Sequence, residues 1–352
     1  MRSKNNNLTL FYISILLLVF FTGCTTGEQE KLPNVANIKL ETNIYRFDQE
    51  LFTADTNHFE NAFQGLGIKY PEFSQVYFDN VLGLKDPKIA MGGAIPYVRG
   101  FICSPQIRRL YDTCQIVFKD FQPIYDQFES AFKYMKYYFP QKTPPTITTY
   151  ISEYSYAIFV YGKGDLGVGL DFFLGDTYPY AKMNYENPNF SNYLTRTYNK
   201  DHLVSKSMSA IIDDWIGPSP DRARLLDYMI HNGKRLYILD KLMPLAQDSV
   251  KLEYSAKQVK FIKENEANIW AYFTTENLLY SEDYQKIRKY IEPSPNAPGM
   301  PAEVPGRIAN WIGLQIVRAY MKSNPRMSLD DLIKLTDPQT IMNQSKYKPK
   351  KK

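Results

Sequence analysis

Two predicted helices carry residues that are candidates for a metal site. The first lies within YNKDHLVSKSMSAIIDDW at 198–215 and holds His202, and the second lies within LLDYMIHNGKRLY at 225–237 and holds Asn232 and Gly233. A zinc hydrolase of the HExxH type places two histidines four residues apart on one helical face, with a glutamate base between them and a further ligand elsewhere. The layout here fits that pattern, but most of the ligands are missing.

Neither register of the motif restores the ligands. With His202 as the first ligand, Leu203 takes the position of the base and Lys206 that of the second ligand, where an ammonium group binds zinc poorly. If Asp201 instead supplies the acid, both histidine positions are lost. We therefore expect no catalytic residues, no bound metal and no cofactor. The residues left from such a site would line a vestigial cleft: Asp201, His202, Lys206, Asn232 and Gly233.

The order of these segments is similar to that of gluzincin metallopeptidases, in which strands precede a helix with histidines and a helix with a Glu-Gly pair. In this chain the pair is replaced by Asn232 and Gly233. The resemblance implies a degenerate, non-catalytic zinc peptidase. An alternative is a divergent zinc metallohydrolase, in which His202 is joined by carboxylates from elsewhere, such as those of Asp213, Asp214 or Glu266.

The elements that position these residues indicate an α+β fold, mostly helical, with a small mixed or antiparallel sheet packed on helices. Residues 143–172 are rich in Thr, Ile, Tyr, Val and Gly, which favours three strands near 146–151, 156–162 and 167–172. Alternation near 44–47 predicts a first strand that leads into a short helix.

From 189 to 342 the apolar spacing predicts helices. Asp201 is the predicted N-cap of a helix over 202–215. The next helix is predicted to run from Asp221 to Leu242, interrupted in pattern at Gly233.

The amino terminus predicts an exported lipoprotein. Arg2 and Lys4 precede an apolar run over 8–21, which is too short for a membrane span and typical of a signal peptide. Thr22 and Gly23 before Cys24 resemble a lipobox, which makes Cys24 the lipid attachment site. The predicted divisions are a signal peptide (1–23), a lipidated tether (24–37), a single domain (38–342) and a basic tail (343–352).

The composition limits the classes of partner that the protein is expected to bind. Removal of residues 1–23 takes away two positive charges and lowers the net charge from +5 to +3, which is too small to argue for nucleic acid. The 28 tyrosines and a Pro-rich loop over 292–307 leave open a glycan- or surface-binding lipoprotein as a second alternative.

Cys103 and Cys114 are eleven residues apart, and an extracytoplasmic compartment permits but does not require a disulfide between them.

Several long blocks carry a more specific resemblance than any short motif: LGVGLDFFLGDTYPYAKM, LLDYMIHNGKRLYILDKLMP, ENEANIWAYFTTENLLYSED, PGRIANWIGLQIVRAYM and SKYKPK. They are similar to the gliding-motility lipoprotein B (GldB) family of Bacteroidetes. This resemblance implies a protein anchored to a membrane of the cell envelope by its lipid and facing the periplasm or the surface. It also implies protein partners in the motility and secretion apparatus. Many relatives keep a glutamate where this chain has Asn232.

Overall fold

Four short strands form one mixed sheet in this computed structural model. They are β1 (Ile44–Tyr45), β2 (Ile147–Tyr150), β3 (Ile158–Tyr161) and β4 (Asp165–Gly169). Their order is β1-β2-β4-β3, with β1, β2 and β4 parallel and β3 antiparallel to β4. The sheet and the many helices around it confirm the predicted α+β class.

The structure describes residues 31–183 and 188–349. The predicted signal peptide and Cys24 lie outside these ranges. The chain divides after Asn34, and residues 35–352 form one compact unit. Among the described residues no helix is long and apolar enough to cross a membrane.

The helices between β1 and β2 contribute to an aromatic core that packs against the sheet. Phe47 is fully buried and its ring contacts those of Phe73 and Tyr77 at centroid distances of 4.9 and 5.2 Å. Such edge-on contacts add to the hydrophobic gain of burying the rings. The helices of this part are α1 (Phe47–Phe52), α2 (Phe59–Lys69), α3 (Pro71–Val76), α4 (Ala94–Cys103), α5 (Pro105–Val117) and α6 (Gln122–Tyr138).

Ten helices follow the sheet in the described residues. They are α7 (Asn192–Thr195), α8 (Lys200–Ile216), α9 (Leu225–Leu242), α10 (Asp248–Leu252), α11 (Ala256–Glu264), α12 (Glu266–Thr275), α13 (Tyr284–Ile291), α14 (Ile308–Ser323), α15 (Leu329–Lys334) and α16 (Pro338–Ser345). Among the described elements, α9 and α14 share the most extensive contact.

A pair of glycines allows α9 and α14 to approach backbone to backbone. A Cβ built on Gly233 would lie 2.4 Å from the carbonyl carbon of Gly313, and one built on Gly313 would lie 1.8 Å from the carbonyl oxygen of Met229. Gly233 therefore does not interrupt α9 as its helix propensity predicted. It is retained in a continuous helix because the partner helix leaves no room for a side chain.

Two predicted helix starts are corrected by the structure. The N-cap of α8 is Asn199, whose side-chain oxygen accepts the backbone N–H of Asp201, so Asp201 lies inside the helix. Helix α9 begins at Leu225 instead of Asp221, because Arg224 is its N-cap and donates its backbone N–H to the Asp227 carboxylate at 2.9 Å. Asn and Asp are both good caps, and the local sequence could not rank them.

The carboxyl-terminal segment packs on the domain as far as Tyr347. Helix α16 continues to Ser345, and the Tyr347 ring contacts Trp270 at a centroid distance of 5.3 Å. The Tyr347 hydroxyl also donates to Glu266 Oε1 at 2.8 Å. Residues 343–347, which the sequence assigned to the basic tail, are thus joined to the domain.

Cys103 and Cys114 are both free in the structure. Cys103 is exposed at the end of α4, whereas Cys114 is fully buried on the inner face of α5. The disulfide that the sequence left open is not formed.

Candidate functional site

Helix α8 holds His202 in a half-buried position where it is bonded but not charged. Its Nδ1 lies 2.8 Å from Oδ1 of the capping Asn199. Burial lowers the pKa of His202 from its ordinary 6.5 to about 4, and the nearby ammonium of Lys206 acts in the same direction. The imidazole is therefore neutral near pH 7 and serves as a hydrogen-bonding group at the start of the helix.

The titration of His202 predicts an acid-sensitive contribution to stability. Because its pKa is lower in the folded than in the unfolded chain, the unfolded chain binds more protons between pH 6.5 and 4, and stability falls as the pH drops through that window. We expect His202→Gln to reduce that fall, as measured by urea unfolding at a series of pH values. Gln106→Ala, at an exposed position of α5 without an ionisable group, is the control and should leave the pH profile unchanged.

Lys206, one turn beyond His202, belongs to an ion-pair network. Its Nζ lies 2.9 Å from Glu253 Oε1, and the other carboxylate oxygen of Glu253 lies 3.0 Å from an Arg307 nitrogen. Burial raises the pKa of Glu253, but the two cations outweigh burial and hold that pKa well below its usual range. The carboxylate is thus ionised and bonded on both sides.

The backbone at this network is held in an uncommon conformation. Glu253 and Arg307 both lie in the left-handed region, at φ 55° and 61°, although neither is a glycine. Each such residue costs on the order of 1 kcal/mol and persists only where its surroundings enforce it. Here Glu253 ends α10, Arg307 precedes α14, and their ion pair joins the two helix ends.

Asn232 bonds to a neighbouring helix and lines a cleft. The Asn232 side chain donates to Asn310 Oδ1 at 2.9 Å, and Asn310 in turn donates to the Ile291 carbonyl at 3.0 Å. Asn232 lines a cleft of about 770 Å³ together with Tyr228 and Tyr284. Elsewhere in the predicted vestigial cleft, His202 bonds to Asn199 and Lys206 pairs with Glu253.

The alternative zinc site gains no support from the described part of the chain. Within it, no three His, Cys, Asp or Glu side chains are grouped so that they could hold a metal ion. Asp213 pairs with Arg235 at 3.5 Å, and Glu266 accepts the Tyr347 hydroxyl. Two of the three carboxylates proposed as partners of His202, those of Asp213 and Glu266, are therefore engaged elsewhere.

A pocket that the sequence analysis missed adjoins the ion-pair network. It has a volume of about 490 Å³, and Arg196, Lys257 and Arg307 are its cationic lining residues. We call it the arginine pocket. Its walls come from the start of α11 and from the Pro-rich segment 292–306. Arg307 directly follows Pro305-Gly306 before a long apolar helix, and nothing in that local sequence predicts that its side chain pairs with Glu253 or lines a pocket.

Part of the tyrosine excess is accounted for by packing. Tyr77, Tyr150 and Tyr180 are buried at 1% exposure or less, and each packs against other aromatic rings. Tyr154 also lies within such a cluster, with its hydroxyl 2.5 Å from that of Tyr178. These rings are part of the core and do not form a sugar-binding platform.

Comparison with known proteins adds one finding. Residues 28–349 match the model of a family described as gliding motility protein GldB. Neither the curated proteins nor the solved structures provide a significant match. Because the family match spans the sheet, the helices and the arginine pocket, the chain belongs to the GldB family of gliding-motility lipoproteins.

Proposed function

We propose that this protein is a lipid-anchored, non-catalytic component of the gliding-motility apparatus and its associated secretion machinery. In this proposal Cys24 carries the lipid, the folded unit faces the periplasm or the cell surface, and it acts by binding protein partners. The helical framework descends from a gluzincin-like peptidase and is retained as a scaffold.

The observation that carries the non-catalytic assignment is the pairing of Lys206 with Glu253. A second zinc ligand at this position would have to offer a lone pair, whereas the ammonium of Lys206 offers only donors. The Glu253 carboxylate neutralises it at 2.9 Å, so the cation is stabilised in place. Asn232, at the position of the expected glutamate, is likewise held by Asn310.

Loss of the lipid is the direct test of the envelope role. We expect a deletion strain to lose surface spreading and adhesin secretion, and wild-type protein to restore both. Cys24→Ala should fail to restore them and should leave the membrane fraction, because removal of the acyl chains removes the anchor. Cys103→Ala is the matched control, since Cys103 is exposed and free. Full spreading and secretion with Cys24→Ala would contradict the proposal.

Elemental analysis tests the non-catalytic assignment separately. Residues 35–352 form a compact unit, and all of the buried residues in the described ranges lie within it. We expect this unit, purified without chelator, to carry no stoichiometric zinc. One zinc per chain would overturn the assignment and leave the envelope role standing.

A further inference from the structure

The arginine pocket has more positive charge than its own acids neutralise. Arg196, Lys257 and Arg307 line it, together with a single carboxylate, that of the exposed Glu303. Glu253 lies behind the pocket, and its carboxylate is shared between Arg307 and Lys206. One carboxylate is therefore shared by two cations. Positive charge remains at Arg307, which lines the pocket.

Arg196 donates its hydrogen bonds to backbone carbonyls and not to a carboxylate. Its Nε donates to the Tyr193 carbonyl at 2.8 Å and one terminal nitrogen donates to the Glu253 carbonyl at 2.6 Å. Both acceptors are neutral backbone oxygens, so they orient the guanidinium without balancing its charge. Burial lowers the pKa of Arg196 and the like charge of Arg307 lowers it further, and together they outweigh the nearby Glu253 carboxylate, which raises it. An anion in the pocket would relieve this repulsion.

Part of the pocket wall is apolar and is held in place. Pro293, Pro295, Pro305 and the Tyr254 ring belong to this part. The Tyr254 hydroxyl donates to the Gly306 carbonyl at 3.0 Å. Proline restricts the backbone and the hydrogen bond pins it, so binding here would order little additional chain.

Two further contacts fix the Pro-rich segment from within the domain. The hydroxyl of Tyr290 donates to the Pro298 carbonyl at 2.8 Å, and the backbone N–H of Ala297 donates to the Val304 carbonyl at 2.9 Å. The segment therefore forms a preformed wall beside a fixed guanidinium. A ligand that fits both features has an anionic end and a small apolar body.

We propose that the arginine pocket binds the terminal carboxylate of a polypeptide partner. A carboxylate carries one charge and matches the two-pronged donor geometry of the guanidinium of Arg196. The apolar walls accept the side chain of the last residue. A phosphate group suits the pocket less well, because Glu303 also lines the pocket and would repel the second negative charge. Capture of chain ends in this way is an established mode of peptide recognition.

Binding of short peptides tests the proposal. Residues 35–352 are titrated by calorimetry with a mixture of N-acetylated tripeptides of varied last residue, each prepared with a free carboxylate or as the amide. We expect the free acids to bind at least about tenfold more tightly than the amides, since charge-assisted hydrogen bonds are lost on amidation. Separate titrations with inorganic phosphate and with phosphatidylglycerol vesicles test whether the pocket binds other anions.

Three variants place the binding site. Arg196→Gln and Lys257→Glu are expected to weaken binding of the free acids about tenfold. Lys260→Gln, on the exposed face of α11 and outside the pocket lining, is the matched control and should bind as wild type does. Since Lys257 is exposed at the rim, its variant remains informative even if Arg196→Gln fails to fold.

The remaining outcomes overturn the proposal. Equal binding of acids and amides would exclude carboxylate recognition, and full binding by Lys257→Glu would exclude this pocket. Binding of phosphate or vesicles without binding of peptides would assign the pocket to another anion. No peptide binding at about 1 mM would also count against it, since that limit corresponds to about 4 kcal/mol of binding free energy. None of these results depends on whether Cys24 is needed for spreading.

Discussion

Gly313→Ala is expected to lower the free energy of unfolding by about 3 kcal/mol or more. The added Cβ would lie 1.8 Å from the carbonyl oxygen of Met229 and 2.5 Å from its carbonyl carbon. Both are backbone atoms of α9, so no side-chain rotation can relieve the overlap. The helices must move apart, and this loosens the most extensive helix contact among the described elements.

The same substitution at a glycine without close neighbours is the control. Gly100 lies in α4, and a Cβ there meets nothing within 4 Å. Gly100→Ala is expected to be neutral or to stabilise by up to about 1 kcal/mol, because alanine has the higher helix propensity. Urea unfolding of residues 35–352 at pH 7, followed by circular dichroism, compares the two. Equal stabilities would mean that α9 and α14 do not pack through their backbones.

The sheet and the helical class could be predicted because their signals are local. Strands β2, β3 and β4 follow from the Thr-, Ile-, Val- and Tyr-rich composition of 143–172 and from turn glycines such as Gly162, at φ 55°. Helix α8 follows from its apolar spacing, although its cap was assigned to Asp201 in place of Asn199. The local sequence predicts where a helix or strand lies better than it predicts the first residue of that element.

The role of Gly233 could not be predicted from its own helix. A glycine inside a helical pattern indicates a weak point, and only the position of Gly313 on a later helix shows that it is a contact point. The packing of Tyr347 could not be predicted for the same reason, since its partners Trp270 and Glu266 are distant in sequence.

The partners of the candidate site residues could not be predicted from the sequence. The sequence showed that Lys206 cannot replace a histidine ligand, but its partner Glu253 and the neighbouring Arg307 come from other segments. Neither has a local sequence signal, because a left-handed backbone is expected at glycine or asparagine and both are ordinary charged residues. Long-range charge pairing therefore remained hidden until the fold was known.

Glu253→Gln is expected to lower the free energy of unfolding by about 2 to 3 kcal/mol at pH 7, because it leaves Lys206 and Arg307 without their shared counter-charge. This lies below the cost of breaking a fully buried pair, since these side chains remain 18 to 22% exposed. The amide keeps the shape of the carboxylate and can still accept one hydrogen bond. Urea unfolding measures the loss, and Glu264→Gln, at an exposed position of α11, is the matched control.

The pH dependence separates loss of charge from loss of packing. The unfolded glutamate takes up a proton near 4.5, whereas in the folded chain Lys206 and Arg307 keep the Glu253 carboxylate ionised to lower pH. The wild-type advantage is thus fully present above pH 4.5 and declines as the pH falls toward the depressed folded pKa. We expect the difference between wild type and Glu253→Gln to shrink when unfolding is measured at pH 3. A difference that stays constant from pH 7 to pH 3 would show that Glu253 stabilises the fold by shape and not by charge.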